Sequence, residues 1–444
     1  MDITPPIGFR MSGYFYERFS TAIHNPLQAK VIVFQQGHSR FAWAFCDLVG
    51  VPAKTSALAR DAAEAMTGIP SANILIAATH THTGPLYFGP LRDFFHAQAV
   101  ERTTVDEREP TDYAAELADK LAGAITIAAE DAAQTEVFVN VVPQDGLSFN
   151  RRYVMKDGSV ATNPGKLNPN VERAAGPTDN DLTLLQFRRS SRPIGGLTVF
   201  ALHLDTTGGT EFSADFPYYL ERDLRERYGP EYRSLFAIGP CGDVNHFDIS
   251  QDRRQKGQDE AERIGSTIAA TAIAALQSPT PIADPILAAC SLTIKVPLQR
   301  YTFAEFAEAR ASLPKVGTRE MPMLEQVAAV KKVGIDDYGV VDLPMEVQAF
   351  QLSSSVAAVA LPGELFAELG LAIKRRSPYA TTLVFELCND YPGYIPTRRA
   401  FAEGGYEPAN SKLEPGGGER LVDAAVALLK ALKAGDGSMR TGAQ

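Results

Sequence analysis

The chain has 444 residues, of which 45% are hydrophobic and 22% are charged. This composition is that of a globular protein and excludes a largely disordered chain. There are 43 Lys and Arg residues against 53 Asp and Glu, and the net charge of −10 argues against nucleic acid or an anionic membrane as the main partner. No apolar run approaches the ~18 residues that a transmembrane helix needs.

The ends and the cysteines of the chain indicate its compartment. The opening Met-Asp-Ile-Thr-Pro-Pro lacks a basic segment followed by an apolar one, so we expect no signal peptide. The four cysteines are widely spaced, form no CxxC and lie mostly in or beside apolar runs: Cys46, Cys241, Cys290 and Cys388. Such cysteines favour buried thiols in a reducing compartment, the cytoplasm, over disulfides.

Runs rich in β-branched and aromatic residues predict strands along the whole chain. They are 30–34, 41–46, 73–78, 136–142, 182–187, 197–202, 235–238, 287–296, 347–352, 356–361 and 382–387. Apolar residues three and four apart predict helices at 113–134, 252–276, 364–376 and 419–432. Strands that alternate with helices indicate an α/β protein with a central sheet. We expect one domain over 1–434 and a flexible polar tail at 435–444.

Three connections are too long to be simple joints, namely 86–112, 143–181 and 299–344. The second contains an apparent hairpin over 153–160 that turns at Asp157 and Gly158. The third is expected to include short helices. Long loops in a compact domain are usually binding loops or lids, and surface insertions are the alternative.

Two histidines follow the predicted strand 73–78. His80 and His82 are two residues apart, so in extended chain they point to one face and can aim at one point beyond the sheet. This spacing is usual in metal sites built on strands. The alternative is a pair of hydrogen-bonded polar residues in a turn.

Four more predicted strands also end in groups that can bind a metal or a ligand. These groups are His203 with Asp205, the segment Gly239-Pro240-Cys241-Gly242-Asp243-Val244-Asn245-His246, Glu364, and Tyr391 with Tyr394. Each has a structural explanation by itself: His203 as a core histidine, Glu364 in the first turn of a helix, Tyr394 as a packing residue. Because open α/β sheets carry their sites at strand ends, the set together indicates a functional site.

The remaining basic residues have simpler interpretations. His24, His38 and His96 lie near turns or loops and are interpreted as surface residues. Arg151, within Asn150-Arg151-Arg152, is by default a surface charge.

The motifs as a set resemble the catalytic domain of the neutral/alkaline non-lysosomal ceramidases. The similarity spans nearly the whole chain. Its segments are Asp2-Ile3-Thr4-Pro5-Pro6, Met11-Ser12-Gly13-Tyr14, Asp47, Thr79-His80-Thr81-His82-Thr83-Gly84-Pro85, Asn150-Arg151, His203, Ser213-Ala214-Asp215-Phe216-Pro217, Gly242-Asp243-Val244, Pro362-Gly363-Glu364 and Gly393-Tyr394. The THTHxGP and PGE segments together are specific, whereas GDV alone is not.

The resemblance implies a mixed α/β domain with helices packed outside the sheets, and a zinc ion. It places the zinc ligands on His80, His203, Glu364 and Tyr394, with Tyr391 the other tyrosine in reach. It also implies that His82 faces the substrate and that Arg151 forms part of the pocket wall.

Two departures from the family change the expected chemistry. The ceramidases read Gly-Asp-Val-Ser-Pro-Asn, whereas here Asn245 replaces the serine and offers no hydroxyl nucleophile. The family's C-terminal immunoglobulin-like domain and its signal also have no counterpart in these 444 residues. We therefore expect that long-chain ceramide is not the natural substrate.

These observations predict a zinc-dependent hydrolase of an amide bond in a small or N-acylated substrate, with a zinc-activated water as nucleophile. His82 is expected to donate a proton, Asp243 to orient a ligand or water, and Asn245 to add an oxyanion donor. The alternatives are an ester or lactone hydrolase and a catalytically inert metal-binding protein. TIM-barrel amidohydrolases also carry an HxH pair, but the later His-His-Asp series that they need is not found in the sequence.

Overall fold

The computed structural model describes residues 1–435, in which strands and helices alternate. The strands are β1 (Ala22–Ile23), β2 (Ala29–Gln36), β3 (Ser39–Cys46), β4 (Ile74–Ala78), β5 (Glu136–Pro143), β6 (Phe149–Asn150), β7 (Arg152–Met155), β8 (Val160–Thr162), β9 (Val171–Ala174), β10 (Asp181–Arg189), β11 (Arg192–Phe200), β12 (Glu211–Phe212), β13 (Arg233–Ile238), β14 (Val244–Asn245), β15 (Thr280–Pro281), β16 (Pro285–Pro297), β17 (Asp342–Ser353), β18 (Val356–Ala360), β19 (Glu364–Leu365), β20 (Thr381–Phe385) and β21 (Tyr394–Ile395). The α-helices are α1 (Ala53–Thr67), α2 (Pro90–Thr103), α3 (Tyr113–Glu130), α4 (Phe216–Tyr228), α5 (Gln258–Ala275), α6 (Phe303–Ser312), α7 (Met323–Tyr338), α8 (Ala367–Arg376), α9 (Arg398–Glu403), α10 (Tyr406–Asn410) and α11 (Gly417–Ala434). Two 3₁₀ turns lie at Ser71–Asn73 and Leu313–Lys315.

Three larger sheets replace the single central sheet that the alternation of strands and helices predicts. Their strand orders are β2-β3-β4, β13-β11-β10-β5-β15 and β16-β17-β18-β20. Each is mixed, because β3 and β4, β11 and β13, and β18 and β20 run parallel while the other pairs are antiparallel. In each sheet, one strand of the parallel pair is an edge strand.

Strands β4 and β18, and most of β3, are buried on both faces because the sheets are covered on both sides there, whereas β5 and β16 are partly exposed. In β3, Phe41 and Trp43 point into a core shared by all three sheets, and Ala42 and Ala44 point into a second core under helices. This division follows from the two-residue period of a strand. It explains why the sequence shows continuous apolar runs instead of alternation.

Helices cover the outer faces of the sheets. Helices α1, α3, α4 and α5 pack with the outer faces of the first two sheets, and α8 and α11 pack on the sheet that contains β17 and β18. The mixed α/β fold with helices on the outside, which the resemblance implies, is confirmed.

All the predicted strands are present, with ends that differ by a few residues. The predicted helices 113–134, 252–276 and 419–432 are also present, as α3, α5 and α11. The helix predicted from 364 begins only at Ala367, because Glu364 and Leu365 form strand β19.

Several helices lie where the sequence analysis predicts loops or no element. The connection 86–112 contains α2, which begins at Pro90 directly after Gly89. Proline is favoured in the first helical position, so Pro90 suits the start of α2. In the connection 299–344 the expected helices are present as α6 and α7, although α7 is longer than expected, with sixteen residues. The predicted hairpin is confirmed as β7 and β8, which pair antiparallel.

The cysteines and the end of the chain were also subjects of prediction. All four cysteines are free thiols, and three of them are buried. Within residues 1–435, every helix is too short or too polar to cross a lipid bilayer. Of the tail predicted at 435–444, Gly435 caps α11, and 436–444 lie outside the described residues.

Candidate metal centre

The segments that follow five strands meet at one edge of the sheets. The segment after β4 is joined to that after β11 by a hydrogen bond from the His82 N–H to the Leu204 carbonyl at 3.1 Å. The segment after β13 is joined to that after β18 by a hydrogen bond from the Gly242 N–H to the Leu365 carbonyl at 2.7 Å. The segment after β20 contributes β21, which pairs with β19. The predicted gathering of polar strand ends is therefore present.

Three imidazoles converge at the centre of this edge. The Nε2 atom of His80 lies 3.1 Å from that of His203 and 3.4 Å from that of His82, and the last two are 3.2 Å apart. Four ligands placed tetrahedrally at zinc distances of about 2.0–2.1 Å are separated by about 3.3–3.4 Å. All three nitrogens therefore fit one metal ion, and these distances do not separate His82 from the other two.

Burial keeps two of these imidazoles neutral. Burial, followed by the charge of His80, lowers the pKa of His82 to about 3. Burial also lowers the pKa of His203 well below its ordinary value. Neutral imidazole is the form that binds metal ions, because its second nitrogen carries a free lone pair.

The backbone at His80 is not extended, contrary to the expectation from the strand. Its φ is +77°, in the left-handed region that a residue with a side chain rarely adopts. The His80 N–H donates to the Leu48 carbonyl at 2.9 Å, and its Nδ1 lies 2.7 Å from the Val49 carbonyl oxygen. The two histidines therefore converge through a turn fixed by the end of β3, and the contact to Val49 directs the Nε2 atom of His80 into the site.

Glu364 places a carboxylate against one of these imidazoles, His80. Its Oε2 atom lies 3.3 Å from Nε2 of His80 and accepts no hydrogen bond from residues 1–435, although it is buried. Its Oε1 atom accepts a hydrogen bond from the Tyr391 hydroxyl at 2.8 Å. Although burial raises the pKa of Glu364, His80 and Tyr391 outweigh it and hold that pKa below its usual value. A buried carboxylate oxygen that accepts no hydrogen bond from the described residues and lies 3.3 Å from one nitrogen of the imidazole cluster fits a bound cation.

The two tyrosines lie on different sides of Glu364. Tyr394 is the partner of Glu364 in the β19–β21 pair, and its hydroxyl accepts a hydrogen bond from Arg151 at 3.0 Å. Tyr391 contacts Glu364 directly through its hydroxyl. Both tyrosines are therefore held within the site, and the structure gives each a different polar partner.

Arg151 is buried and is not the surface charge of the default interpretation. Its guanidinium donates to Glu407 at 2.8 Å, to the Gly242 carbonyl at 2.8 Å and to the Tyr394 hydroxyl at 3.0 Å. The Arg151 side chain is 6% exposed and that of Glu407 is 0% exposed. Arg151 therefore joins α10, the turn after β13 and the tyrosine of β21.

Asp243 and Asn245 are engaged in the supporting structure. Asp243 accepts hydrogen bonds from the Ala367 N–H at 2.8 Å and from the Asn150 amide at 2.7 Å. Asn245 is fully buried; its amide donates to Asn163 at 3.0 Å and accepts from the Phe247 N–H at 3.1 Å. This leaves one of the two amide N–H atoms of Asn245 for a ligand.

Gly242, in the same turn, packs directly on the chain of Glu364. A Cβ atom on Gly242 would lie 2.5 Å from the Glu364 carbonyl oxygen, a distance at which the backbone of Glu364 would have to move. The position therefore requires glycine for a close approach of two backbones.

Asp205 and His246, which follow two different predicted strands, form a pair beside the imidazoles that was not predicted from the sequence. His246 Nδ1 lies 3.2 Å from Asp205 Oδ1, and His246 Nε2 lies 2.9 Å from the Gln255 carbonyl oxygen. Burial alone would raise the pKa of Asp205, but His246 and His82 hold it well below its usual value. A signal was available, because Asp205 interrupts an apolar run only two residues after His203.

Glu386 supports the site but was not among the site residues predicted from the sequence. Its buried carboxyl group accepts hydrogen bonds from the Leu365 N–H at 2.7 Å and from the Cys241 N–H at 3.3 Å. It therefore ties the segment that carries Glu364 to the turn after β13. Because it falls inside the predicted strand 382–387, nothing in the sequence separates it from a strand residue.

Comparison with known proteins supports the fold. No protein-family model matches the chain, and no curated protein matches its sequence. The neutral ceramidase from Pseudomonas aeruginosa aligns with a TM-score of 0.74 and 17% identity, over 99% of this chain and 74% of its own. A ceramidase complexed with C2 aligns with a TM-score of 0.71 and 17% identity, over 98% of this chain and 74% of its own. The chain therefore has the neutral ceramidase fold, as the resemblance of its motifs predicts.

Proposed function

We propose that this protein is a zinc-dependent hydrolase that cleaves the amide bond of a small N-acylated substrate. The observation that carries the proposal is the convergence of three imidazoles, with the Oε2 atom of Glu364 against His80 and without a hydrogen bond from residues 1–435. The ceramidase fold supports the bond type, because ceramidases hydrolyse an amide. The four free thiols support a reducing compartment, the cytoplasm.

In this proposal His80, His203 and Glu364 hold the metal, and Tyr394 completes the set. A zinc ion bound by such ligands polarises a carbonyl group and lowers the pKa of water to about 7. Tyr391 fixes the orientation of Glu364 through its 2.8 Å hydrogen bond. Arg151 holds the Tyr394 hydroxyl in place.

His82 is the proton donor of the proposal. It is the least buried of the three imidazoles, so its Nε2 atom can meet both the site and a substrate. Because burial keeps this imidazole neutral, it donates a hydrogen bond to the oxygen that becomes negative, and the proton that it passes to the leaving nitrogen is one that it has first taken from the attacking water. The remaining N–H of Asn245 and the backbone of the Gly242 turn are the proposed oxyanion donors, a contribution of about 3–4 kcal/mol per donor in hydrolases.

Asp243 acts indirectly in this proposal. Its two hydrogen bonds tie the start of α8 to Asn150, which precedes Arg151. It therefore positions the loop that carries the arginine.

The experiment is a substrate panel measured on the zinc-loaded chain. It compares short N-acyl amides, matched esters, lactones and long-chain ceramide, with His80→Ala as the control that removes the site. We expect turnover of the short amides that is lost in His80→Ala. Efficient turnover of ceramide would contradict the small substrate, and turnover of esters or lactones alone would contradict the amide bond. A zinc-loaded chain that cleaves none of them would be an inert metal-binding protein.

A further inference from the structure

An aromatic ring with two cations beside it lies next to His82. The ring of Tyr14 meets the ring of His82 edge-on, with centroids 6.2 Å apart. The guanidinium carbon of Arg18 lies 4.3 Å from the Tyr14 centroid, and the Nζ atom of Lys256 lies 5.9 Å from it. We call Tyr14, Arg18 and Lys256 the cationic rim.

Arg18 carries a buried charge that no carboxylate balances. It is 6% exposed, and its guanidinium donates to the backbone carbonyls of Ser12, His82 and Gly209. Within residues 1–435, no Asp or Glu lies at ion-pairing distance from it. A buried cation is normally paired with a carboxylate. Because Arg18 has no such partner among these residues, its positive potential extends to whatever binds next to His82.

Lys256 is exposed, but its backbone is fixed. The neighbouring Gly257 N–H donates to the Thr206 carbonyl at 2.9 Å, and the neighbouring Gln255 is buried. A Cβ atom on Gly208 would lie 3.3 Å from both Lys256 Cε and Tyr14 Oη, so the absence of a side chain there lets the two approach. In the part of the chain that the structure describes, Lys256 also has no carboxylate at ion-pairing distance.

Two other charged groups near the site have partners of opposite sign. Arg151 is paired with Glu407, and Asp205 lies against His246. The cationic rim therefore carries surplus positive charge, in a chain whose net charge is −10. Surplus charge beside a binding site selects a ligand of the opposite sign.

We propose that the cationic rim binds a carboxylate of the substrate, which makes the substrate class N-acyl amino acids. This inference rests on the proposed amide hydrolase. In an N-acyl amino acid the carboxylate is two bonds from the scissile nitrogen, so a carboxylate at the rim leaves the amide beside His82. Lys256 is the residue that sets this specificity, because its ammonium group is free to meet the carboxylate.

The test is a binding measurement that does not depend on turnover. The ligands are an N-arylsulfonyl amino acid, in which an inert sulfonamide replaces the scissile amide, and its uncharged carboxamide. Their affinities for the zinc-loaded full-length chain are measured by calorimetry. We expect the acid to bind about tenfold more tightly than the carboxamide, with a preference that shrinks as salt is added.

Three variants localise this preference. Lys256→Met should reduce the ratio of the two affinities to near one, and Lys256→Arg should retain most of it. Lys430→Met removes an exposed lysine on α11 and should leave the ratio at the wild-type value. Equal affinities in the wild type, or an equal loss of both ligands in Lys256→Met, would overturn the inference.

Hydrolysis of the matched N-acyl amino acid and its carboxamide separates this inference from the proposed function. If the binding preference is present and neither amide is cleaved, the hydrolase proposal fails and the carboxylate site stands. If both amides are cleaved equally well and bound equally well, the hydrolase proposal stands and the carboxylate site is wrong.

Discussion

At the residue scale, the chemistry of the site depends on three imidazole nitrogens that the fold holds close together. The three Nε2 atoms of His80, His82 and His203 lie 3.1–3.4 Å apart, and nitrogen atoms this close repel one another unless a proton or a cation lies between them. A metal ion relieves this repulsion and uses the same atoms. The left-handed backbone of His80, which costs about 1–3 kcal/mol in such a residue, is a further sign of a site maintained for function.

The first prediction separates two of these histidines. His82→Ala should retain zinc and lower kcat by roughly 100- to 10,000-fold, because it removes a proton donor and leaves the proposed ligands. His80→Ala should lose zinc and activity together. His38→Ala, at an exposed turn, is the matched control and should change neither.

The measurements are zinc content per chain and kcat for each variant. If His82→Ala loses zinc as completely as His80→Ala, both imidazoles are ligands. The division of roles taken from the ceramidase resemblance would then be wrong. The near-equal distances between the three Nε2 atoms would mean that all three nitrogens bind the metal.

The sequence predicts individual residues of the site where a polar group follows an apolar strand. His80, His82, His203 and Glu364 were found this way, although the reason given for the first pair, an extended chain, was wrong. Tyr14 and Arg18 were not assigned to the site, because they approach it through a loop near the N-terminus that has no periodic pattern. The sequence near Arg18 also does not show whether a distant carboxylate pairs with it.

At the scale of elements, two very short sheets place the site residues. Strand β19 pairs with β21 and sets Glu364 beside Tyr394, and β6 pairs with β14 and sets Asn150 opposite Val244. Arg151 follows β6 directly and ties this arrangement to Glu407 of α10. Two-residue strands have no sequence pattern, so their register is visible only in the structure.

The second prediction concerns the buried pair of Arg151 and Glu407. Arg151→Met should lower the free energy of unfolding by about 3–5 kcal/mol, because it leaves the fully buried carboxylate of Glu407 without its cation. The double variant Arg151→Met, Glu407→Gln should recover part of this loss. Chemical denaturation measures both.

The control for this prediction is an exposed ion pair of similar geometry. Arg376 and Asp423 are 2.8 Å apart with side chains 48% and 67% exposed, so Arg376→Met should change the free energy of unfolding by less than about 1 kcal/mol. A loss in Arg151→Met that is no larger than in this control would show that the buried pair does not hold the site together.

The third prediction concerns pH and the segment that carries Lys256. Burial alone would raise the pKa of Glu260, but Arg263 and Arg253 lower it to about 2 from an ordinary value of about 4.5. Because the folded state has the lower pKa, its stabilisation is present above pH 4.5 and is lost as the pH falls toward 2. The two arginines are partly exposed, so we expect about 1–2 kcal/mol after screening.

Glu260→Gln should therefore lower the free energy of unfolding at pH 7, and the difference from wild type should shrink between pH 4.5 and pH 2. Urea denaturation at several pH values measures this. A difference that stays constant over that range would show that the charge of Glu260 is not the cause.

The longer strands could be predicted from the sequence for a physical reason. Strands buried on both faces need continuous apolar runs, and these runs marked β2, β3, β10, β17 and β18 correctly. Helices α1 and α2 were missed because each buries few large apolar side chains, so the helical period is weak in the sequence. Helix α4 was missed as well. The division into three sheets was missed because strand order depends on contacts between distant segments.

At the scale of the whole molecule, the site joins parts of the chain that are hundreds of residues apart. His80 follows the first large sheet, His203 follows the second, and Glu364 follows the third. A metal bound by one residue from each sheet would bind only the folded arrangement. Metal binding and global stability are therefore linked.

The fourth prediction follows from this linkage. Zinc at about 100 times its dissociation constant should stabilise the fold by about 2.7 kcal/mol and raise the Tm, and chelation should reverse the shift. His203→Ala should show no zinc-dependent shift, whereas His38→Ala should show the full one. A shift of equal size in His203→Ala would place the stabilising zinc elsewhere on the molecule.

The central claim is that the three sheets present one zinc site at their shared edge. Elemental analysis of the purified full-length chain, with His80→Ala beside it, tests this claim most directly. The account predicts close to one zinc per chain in the wild type and none in His80→Ala. A wild-type chain that hydrolyses an N-acyl amide while it holds no metal would contradict it.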